Sequence, residues 1–200
     1  MSLFLGIDFG TTGVRTSIIN KNKKELTNFS VSIDSPISKG SLVYQNPSLW
    51  WSALIKNLAF LKTKIELNKI ERISIDGTSG TILITDHFGN PLDNALMYND
   101  ASAVKESKLV ESISDNHPIV STSTNALVRA LSLINKFKKE KYRILHQADW
   151  IACKIINDYM YSDENNALKL GYDCVERSWP KWFDQLPIEM NSLPLSLIHI

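Results

Sequence analysis

At 200 residues, 44% apolar and 22% charged, the chain is long and apolar enough to bury a globular core, most simply as one domain. A net charge of +1 gives no electrostatic footprint for nucleic acid or an anionic membrane. Cys153 and Cys174 have no C-x-x-C spacing, no basic-then-apolar leader opens the chain, and no apolar run reaches about eighteen residues, so a reduced, cytoplasmic setting is expected.

The first hairpin organises the rest. Leu3-Phe4-Leu5-Gly6-Ile7 is a short apolar run of the kind a buried strand gives, and Asp8 is expected to end it. Phe9-Gly10-Thr11-Thr12-Gly13 reads as a turn of small and hydroxyl residues. Residues 14–19 then alternate, with Val14, Thr16 and Ile18 on one face and Arg15, Ser17 and Ile19 on the other. A carboxylate at a strand end followed by such a turn suits phosphate and Mg²⁺. Glycine lets the backbone approach a ligand, and successive turn N–H groups can form an anion-binding concavity. Thr11 and Thr12 can donate to phosphate oxygens, Asp8 offers a hard oxygen to Mg²⁺, and Arg15 adds a fixed positive charge. An ordinary hairpin with a Gly-rich turn remains the alternative at this point.

Residues 20–24 form a polar turn whose lysines read as a solvated tip, and residues 26–33 a third strand with Phe29, Val31 and Ile33 on one face. Residues 34–48 look irregular, with two prolines. Ser48 is the expected N-cap of a helix of about eighteen residues, with Trp50, Ala53, Leu54, Leu58, Leu61 and Ile65 in an apolar stripe that only Asn57 interrupts. Trp50 and Trp51 read as core rather than a sugar platform. Residues 70–75 form a strand that empties into Asp76-Gly77-Thr78-Ser79-Gly80, placing small hydroxyl residues at a strand end, where open α/β sheets bind ligands. A capped turn explains them equally well.

A strand at 81–85, a turn at 86–91, a helix at 101–112, a polar loop at 114–123 and a helix at 125–137 follow, the last with Leu127, Leu131, Ile134 and Phe137 inward. The basic run from Lys136 to Lys141 reads as a solvated helix end. The histidines at 87, 117, 146 and 199 are scattered, with no spacing that suggests a nucleophile relay, and no G-x-x-x-x-G-K-(S/T) motif is present.

Several of these stretches resemble one family. Gly6-Ile7-Asp8-Phe9-Gly10-Thr11-Thr12-Gly13-Val14-Arg15 resembles the first phosphate motif of the FGGY carbohydrate kinases, within the actin/hexokinase/Hsp70 ATPase superfamily. Val43-Tyr44-Gln45-Asn46-Pro47 resembles the family's E-Q-(D/N)-P lead into its first long helix. Residues 74–100 resemble its S-G-Q-x-H to W-x-D-x-R segment, with Thr78 and Gly80 where Gln and His are usual and Asp100 at the aspartate. Ser102 stands where the motif has Arg. The Asp76-Gly77-Thr78-Ser79 form resembles the ribulokinase-like branch. Residues 144–151 resemble a family helix, 162–173 its T-D-x-S-N-A segment, and Trp179-Pro180-Lys181-Trp182 and Leu193-Pro194 its later W and L-P stretches.

The resemblance implies an α/β, ribonuclease-H-like fold with a mixed sheet flanked by helices. It implies one N-terminal kinase domain over residues 1–194, an atypical tail at 195–200 left by truncation, and a C-terminal nucleotide-binding domain that is absent. It also implies an ATP-dependent carbohydrate kinase using ATP and Mg²⁺ on a ketopentose such as ribulose or xylulose, or a related polyol. Asp8, Gly10, Thr11, Thr12, Gly13 and Arg15 would meet the phosphates, Asp8 the metal, and Thr78, Ser79 and Asp100 the sugar. The catalytic base is expected beyond Ile200, which makes the fragment inactive alone. The alternative is a sugar-binding remnant without catalysis. The expected partner is a small-molecule sugar, with no nucleic acid and no membrane. Asp149, Asp163 and Asn166 lack metal-ligand spacing and read as caps and turn residues.

Overall fold

A computed structural model describes residues 2–114, 122–137 and 141–197. The chain divides into two compact units, residues 1–36 with 46–78, and residues 37–45 with 79–200.

The first unit is a four-stranded sheet with one helix. β1 (Leu3–Phe9), β2 (Gly13–Asn20) and β3 (Glu25–Ser32) are consecutive antiparallel strands, and β6 (Ile70–Gly77) runs parallel to β1, in the order β3-β2-β1-β6. Strand alternation decides the faces. Leu3, Leu5, Ile7, Phe9, Val14 and Ile18 are buried, while Gly6, Asp8 and Arg15 are exposed. Asp8 therefore lies within β1 rather than ending it, because its pairing with Arg15 continues the ladder to Phe9.

Helix α1 (Pro47–Lys62) begins at Asn46, not Ser48. Pro47 supplies the fixed φ of a first helical residue, and the Asn46 side chain accepts from the Ser48 N–H at 2.9 Å. Trp50 and Leu54 are fully buried and Trp51 half-buried, and Phe29 stacks on Phe60 with centroids 3.9 Å apart. Asn57 is buried for a reason its apolar neighbours do not reveal. Its Oδ1 accepts from the Thr16 hydroxyl at 3.0 Å, and its Nδ2 donates to the carbonyls of Val14 (3.2 Å) and Ala53 (2.9 Å), tying α1 to β2.

The second unit holds a five-stranded sheet in the order β4-β5-β8-β7-β9, all neighbours antiparallel. Its strands are β4 (Ile37–Lys39), β5 (Leu42–Gln45), β7 (Ile82–Thr85), β8 (Ala95–Leu96) and β9 (Arg143–His146). The β4–β5 hairpin occupies the stretch expected to be irregular; strands of three and four residues are too short to show a period. Residues 143–146 likewise form a strand before α4 (Gln147–Ile156), where a helix from 144 was expected. Helices α2 (Val104–Ile113) and α3 (Ala126–Lys136) contribute Val110, Leu127, Leu131 and Ile134 to one core with Ile82, Ile84 and Ile144. Strand β10 (Tyr161–Asp163), helix α5 (Glu164–Lys169) and strand β11 (Leu195–Leu197) complete the unit, β10 pairing parallel with β11. Most of the loop expected at 114–123, the basic run at 138–140 and the tail from 198 lie outside the described residues. No helix among the described residues is long and apolar enough to cross a membrane.

The Asn57 bonds generate a stability prediction. Asn57→Leu keeps the branched shape but removes the buried bonds to Val14 and Thr16, leaving the Thr16 hydroxyl only its long 3.4 Å bond to the Phe29 carbonyl, and should lower unfolding free energy by about 1–3 kcal/mol. Urea unfolding measures it; an unchanged midpoint would contradict the clamp.

Candidate functional site

In the first unit, the polar groups sit on the outer face of the sheet. Asp8 is directly opposite Arg15 on the antiparallel side and opposite Asp76 on the parallel side. Neighbouring strands lie roughly 4.8 Å apart, so two carboxylates and a guanidinium share one patch. Arg15 Nη1 approaches Asp8 Oδ2 at 3.5 Å, with side chains 77% and 53% exposed. Such an exposed pair is worth only about 0–1 kcal/mol, so Arg15 can leave Asp8 for another anion at small cost. Asp76 Oδ1 accepts from the Gly77 N–H at 2.8 Å, and its other oxygen has no bond among the described contacts.

The connecting turn is closed by its own backbone. The Gly10 N–H donates to the Gly13 carbonyl at 2.9 Å, and the Ile33 N–H to the Thr12 carbonyl at 3.0 Å. Gly10 thus shapes the turn rather than offering its N–H outward. Gly13 is favoured by close approach, since a Cβ there would lie 3.3 Å from the Val31 carbonyl oxygen and push it aside. Thr11 is half-buried and Thr12 exposed. Below the turn an open concavity of about 510 Å³ is lined by Asp8, Arg15, Ser17, Glu25, Asn28 and Asp76. Hydrogen bonds from Asn28 and Ser17 hold the Glu25 carboxyl below its ordinary range, so it is an anion at neutral pH.

These groups fit a hard cation carried with phosphate. Mg²⁺ takes one or two carboxylates and leaves its other positions to water and phosphate oxygens, so a full protein cage is unnecessary. No group of three or more His, Cys, Asp or Glu side chains that could hold a metal occurs among the described residues. Asp76 was missed as a partner of Asp8 because a parallel pairing across nearly seventy residues leaves no local sequence signal.

Thr78, half-buried, is the last residue of the first unit, and exposed Ser79 opens the longer of the second unit's two segments. Asp100 is fully buried. Its Oδ2 accepts from the Val43 N–H at 2.7 Å, and its Oδ1 from the Ser102 hydroxyl at 2.8 Å and N–H at 3.2 Å. Ser102, standing where the motif has Arg, is therefore a hydrogen-bond partner of the aspartate. The neighbouring Tyr98 is 47% exposed.

Asp149, Asp163 and Asn166 do come together, but as a hydrogen-bonded network. Asn166 Nδ2 donates to Asp149 Oδ1 (2.9 Å) and Asp163 Oδ2 (3.0 Å), Ser162 donates to Asp149 Oδ2 (2.7 Å), and Asp163 caps α5. An amide between two carboxylates fills the place a cation would need. Cys153 is buried, which pushes its thiol up to about 11 and leaves it inert.

Residues 3–195 match the FGGY family of carbohydrate kinases, N-terminal domain. The xylulose kinase of Staphylococcus xylosus is 22% identical over 191 residues, covering 90% of this chain and 39% of that protein. Among solved structures, a xylulose kinase from Rhodospirillum rubrum aligns over 98% of this chain and 42% of its own, with a TM-score of 0.85 at 16% identity. A gluconate kinase from Lactobacillus acidophilus aligns over the same shares with a TM-score of 0.82 at 18% identity. The fold is thus that of the actin/hexokinase-like kinases, and the chain spans about two-fifths of the length of the curated relatives it matches. With nearly its whole length inside the family match, the chain belongs to the FGGY carbohydrate kinases, of which it is an N-terminal domain.

Proposed function

We propose that the chain serves ATP-dependent phosphoryl transfer to a ketopentose of the ribulose or xylulose type, or a related polyol. The observation that carries this reading is the Asp8–Arg15–Asp76 patch beside the Gly10–Gly13 turn, in a chain of this family. Xylulose kinases of Staphylococcus xylosus, Bacillus subtilis and Escherichia coli among its relatives favour the ketopentose. ATP is cytoplasmic chemistry, and both cysteines are free, which suits that compartment.

In this reading the Thr11 and Thr12 hydroxyls donate to phosphate oxygens, and Arg15 swings from Asp8 onto the same anion. Asp8, with Asp76 beside it, would hold Mg²⁺, and the cation would supply positive charge against the phosphates. Gly10 and Gly13 keep the turn low enough for phosphate to approach. Thr78 and Ser79 offer hydroxyls to the sugar. Asp100 contributes through the loop it holds at Val43 and Ser102. No residue here is given the role of the base that takes the proton from the sugar hydroxyl.

Two outcomes are expected. By titration calorimetry the 200-residue chain binds Mg·ATP and D-xylulose or D-ribulose, and a coupled ADP assay detects no sugar-dependent turnover. Turnover at an ordinary kinase rate would place the base within these residues, and absence of both binding events would contradict the reading. Asp8→Asn should weaken Mn·ATP binding, followed by Mn²⁺ electron paramagnetic resonance, by about tenfold. Asp76→Asn should weaken it less. Unchanged Mn²⁺ affinity in Asp8→Asn would remove the metal role.

A further inference from the structure

We propose that Arg129 is the positioning residue of the sugar-facing loops: one buried guanidinium that holds Gly80 and the Leu96–Asp100 stretch in their binding arrangement. The inference rests on the kinase reading above in assigning those loops to the sugar.

Arg129 lies on α3 among Leu127, Val128, Ala130 and Leu131 and is 1% exposed. A guanidinium taken out of water costs several kcal/mol unless its donors are met. Here four of its five N–H donors are met by backbone carbonyls from two places. Nε donates to Asn125 at 3.3 Å and Nη2 to Thr124 at 2.9 Å, at the start of its own helix. Nη1 donates to Leu96 at 3.2 Å and to Met97, at the end of β8. Tyr98-Asn99-Asp100 follows immediately. Asp100 supplies an opposing negative charge; burial pulls Arg129 down to about 10, and Asp100 acts against that fall, so the side chain stays charged at neutral pH.

The same guanidinium reaches Gly80. A Cβ at residue 80 would lie 3.5 Å from Arg129 Nη2 and 3.9 Å from Tyr98 Cβ, and Gly80 has φ +82°, where side chains are strained. The space that a larger residue 80 would claim is therefore bounded by Arg129. One planar fork thus bonds the start of α3 to the end of β8, just ahead of Tyr98–Asp100, and packs beside Gly80. Lysine cannot reproduce it, because its three donors share one nitrogen, whereas these four carbonyls are met from the three nitrogens of a planar fork.

The test uses Arg129→Lys, with Arg129→Met beside it, in the full 200-residue chain. Three quantities are read: D-xylulose and D-ribulose affinity by calorimetry, thermal midpoint, and amide hydrogen exchange by NMR. Arg129→Lys should weaken sugar binding by about tenfold or more. Exchange at Gly80 and at 98–100 should rise by a similar factor, while exchange in Ile82–Thr85 stays at the wild-type rate. Equal sugar affinity in Arg129→Lys would overturn the proposal. So would exchange raised evenly across 79–100, which marks a merely structural residue. A wild-type chain that binds neither sugar would contradict the kinase reading instead, and the exchange pattern alone would then decide whether Arg129 holds these loops.

Discussion

The register of β1 is the constraint on which the first unit depends. β1 is hydrogen-bonded on both edges, antiparallel to β2 and parallel to β6, and its inward residues Leu3, Leu5, Ile7 and Phe9 are almost completely buried. Because side chains alternate with period two, a slip of one residue would bury Asp8 and expose those four. The hydrophobic cost of that exchange fixes Asp8 outward, opposite Arg15 and Asp76. Asn57 adds a second lock by joining α1 to β2 through Thr16 and Val14. Core packing therefore decides where the charged patch stands, and the patch contributes little to stability itself.

The charges of the two units are held in different ways. Asp8 and Arg15 are solvated and loosely paired, so they can rearrange around a phosphate and a cation. Asp100 and Arg129 are buried and bonded mostly to the backbone around them. In a medium that screens poorly, such groups resist displacement. Under the proposed reading, a loosely paired phosphate contact and well-anchored loops for the sugar suit phosphoryl transfer, which relies on positioning and charge rather than on covalent chemistry by the protein.

Much of this was legible in the sequence, because local alternation and turn chemistry carry it. The facing of Val14, Thr16 and Ile18 against Arg15 and Ser17 follows from period two, and the inward side of α3 from period 3.6. What depended on long-range contact was not legible. Asp76 joins Asp8 only through a parallel pairing, and Asn57 looked like a flaw in an apolar stripe until Thr16 came beside it. Arg129 had one signal, a lone charge within an apolar run, but its carbonyl partners on β8 lie more than thirty residues away. Short elements misled for a different reason. The β4–β5 hairpin and the strand at 143–146 offer too few residues for a period, and Ser48 lost the cap to Asn46 because Pro47 fixes the first helical turn.

The central claim is that the Gly10–Gly13 turn, with Asp8 and Arg15, receives the phosphates. Amide chemical-shift mapping of the ¹⁵N-labelled chain during titration with Mg·ATP tests it most directly. The account predicts saturable shifts concentrated at residues 8–15 and 76–77, weakened when Mg²⁺ is withheld. Saturable shifts that leave residues 8–15 unmoved, or no shifts at any concentration, would contradict it.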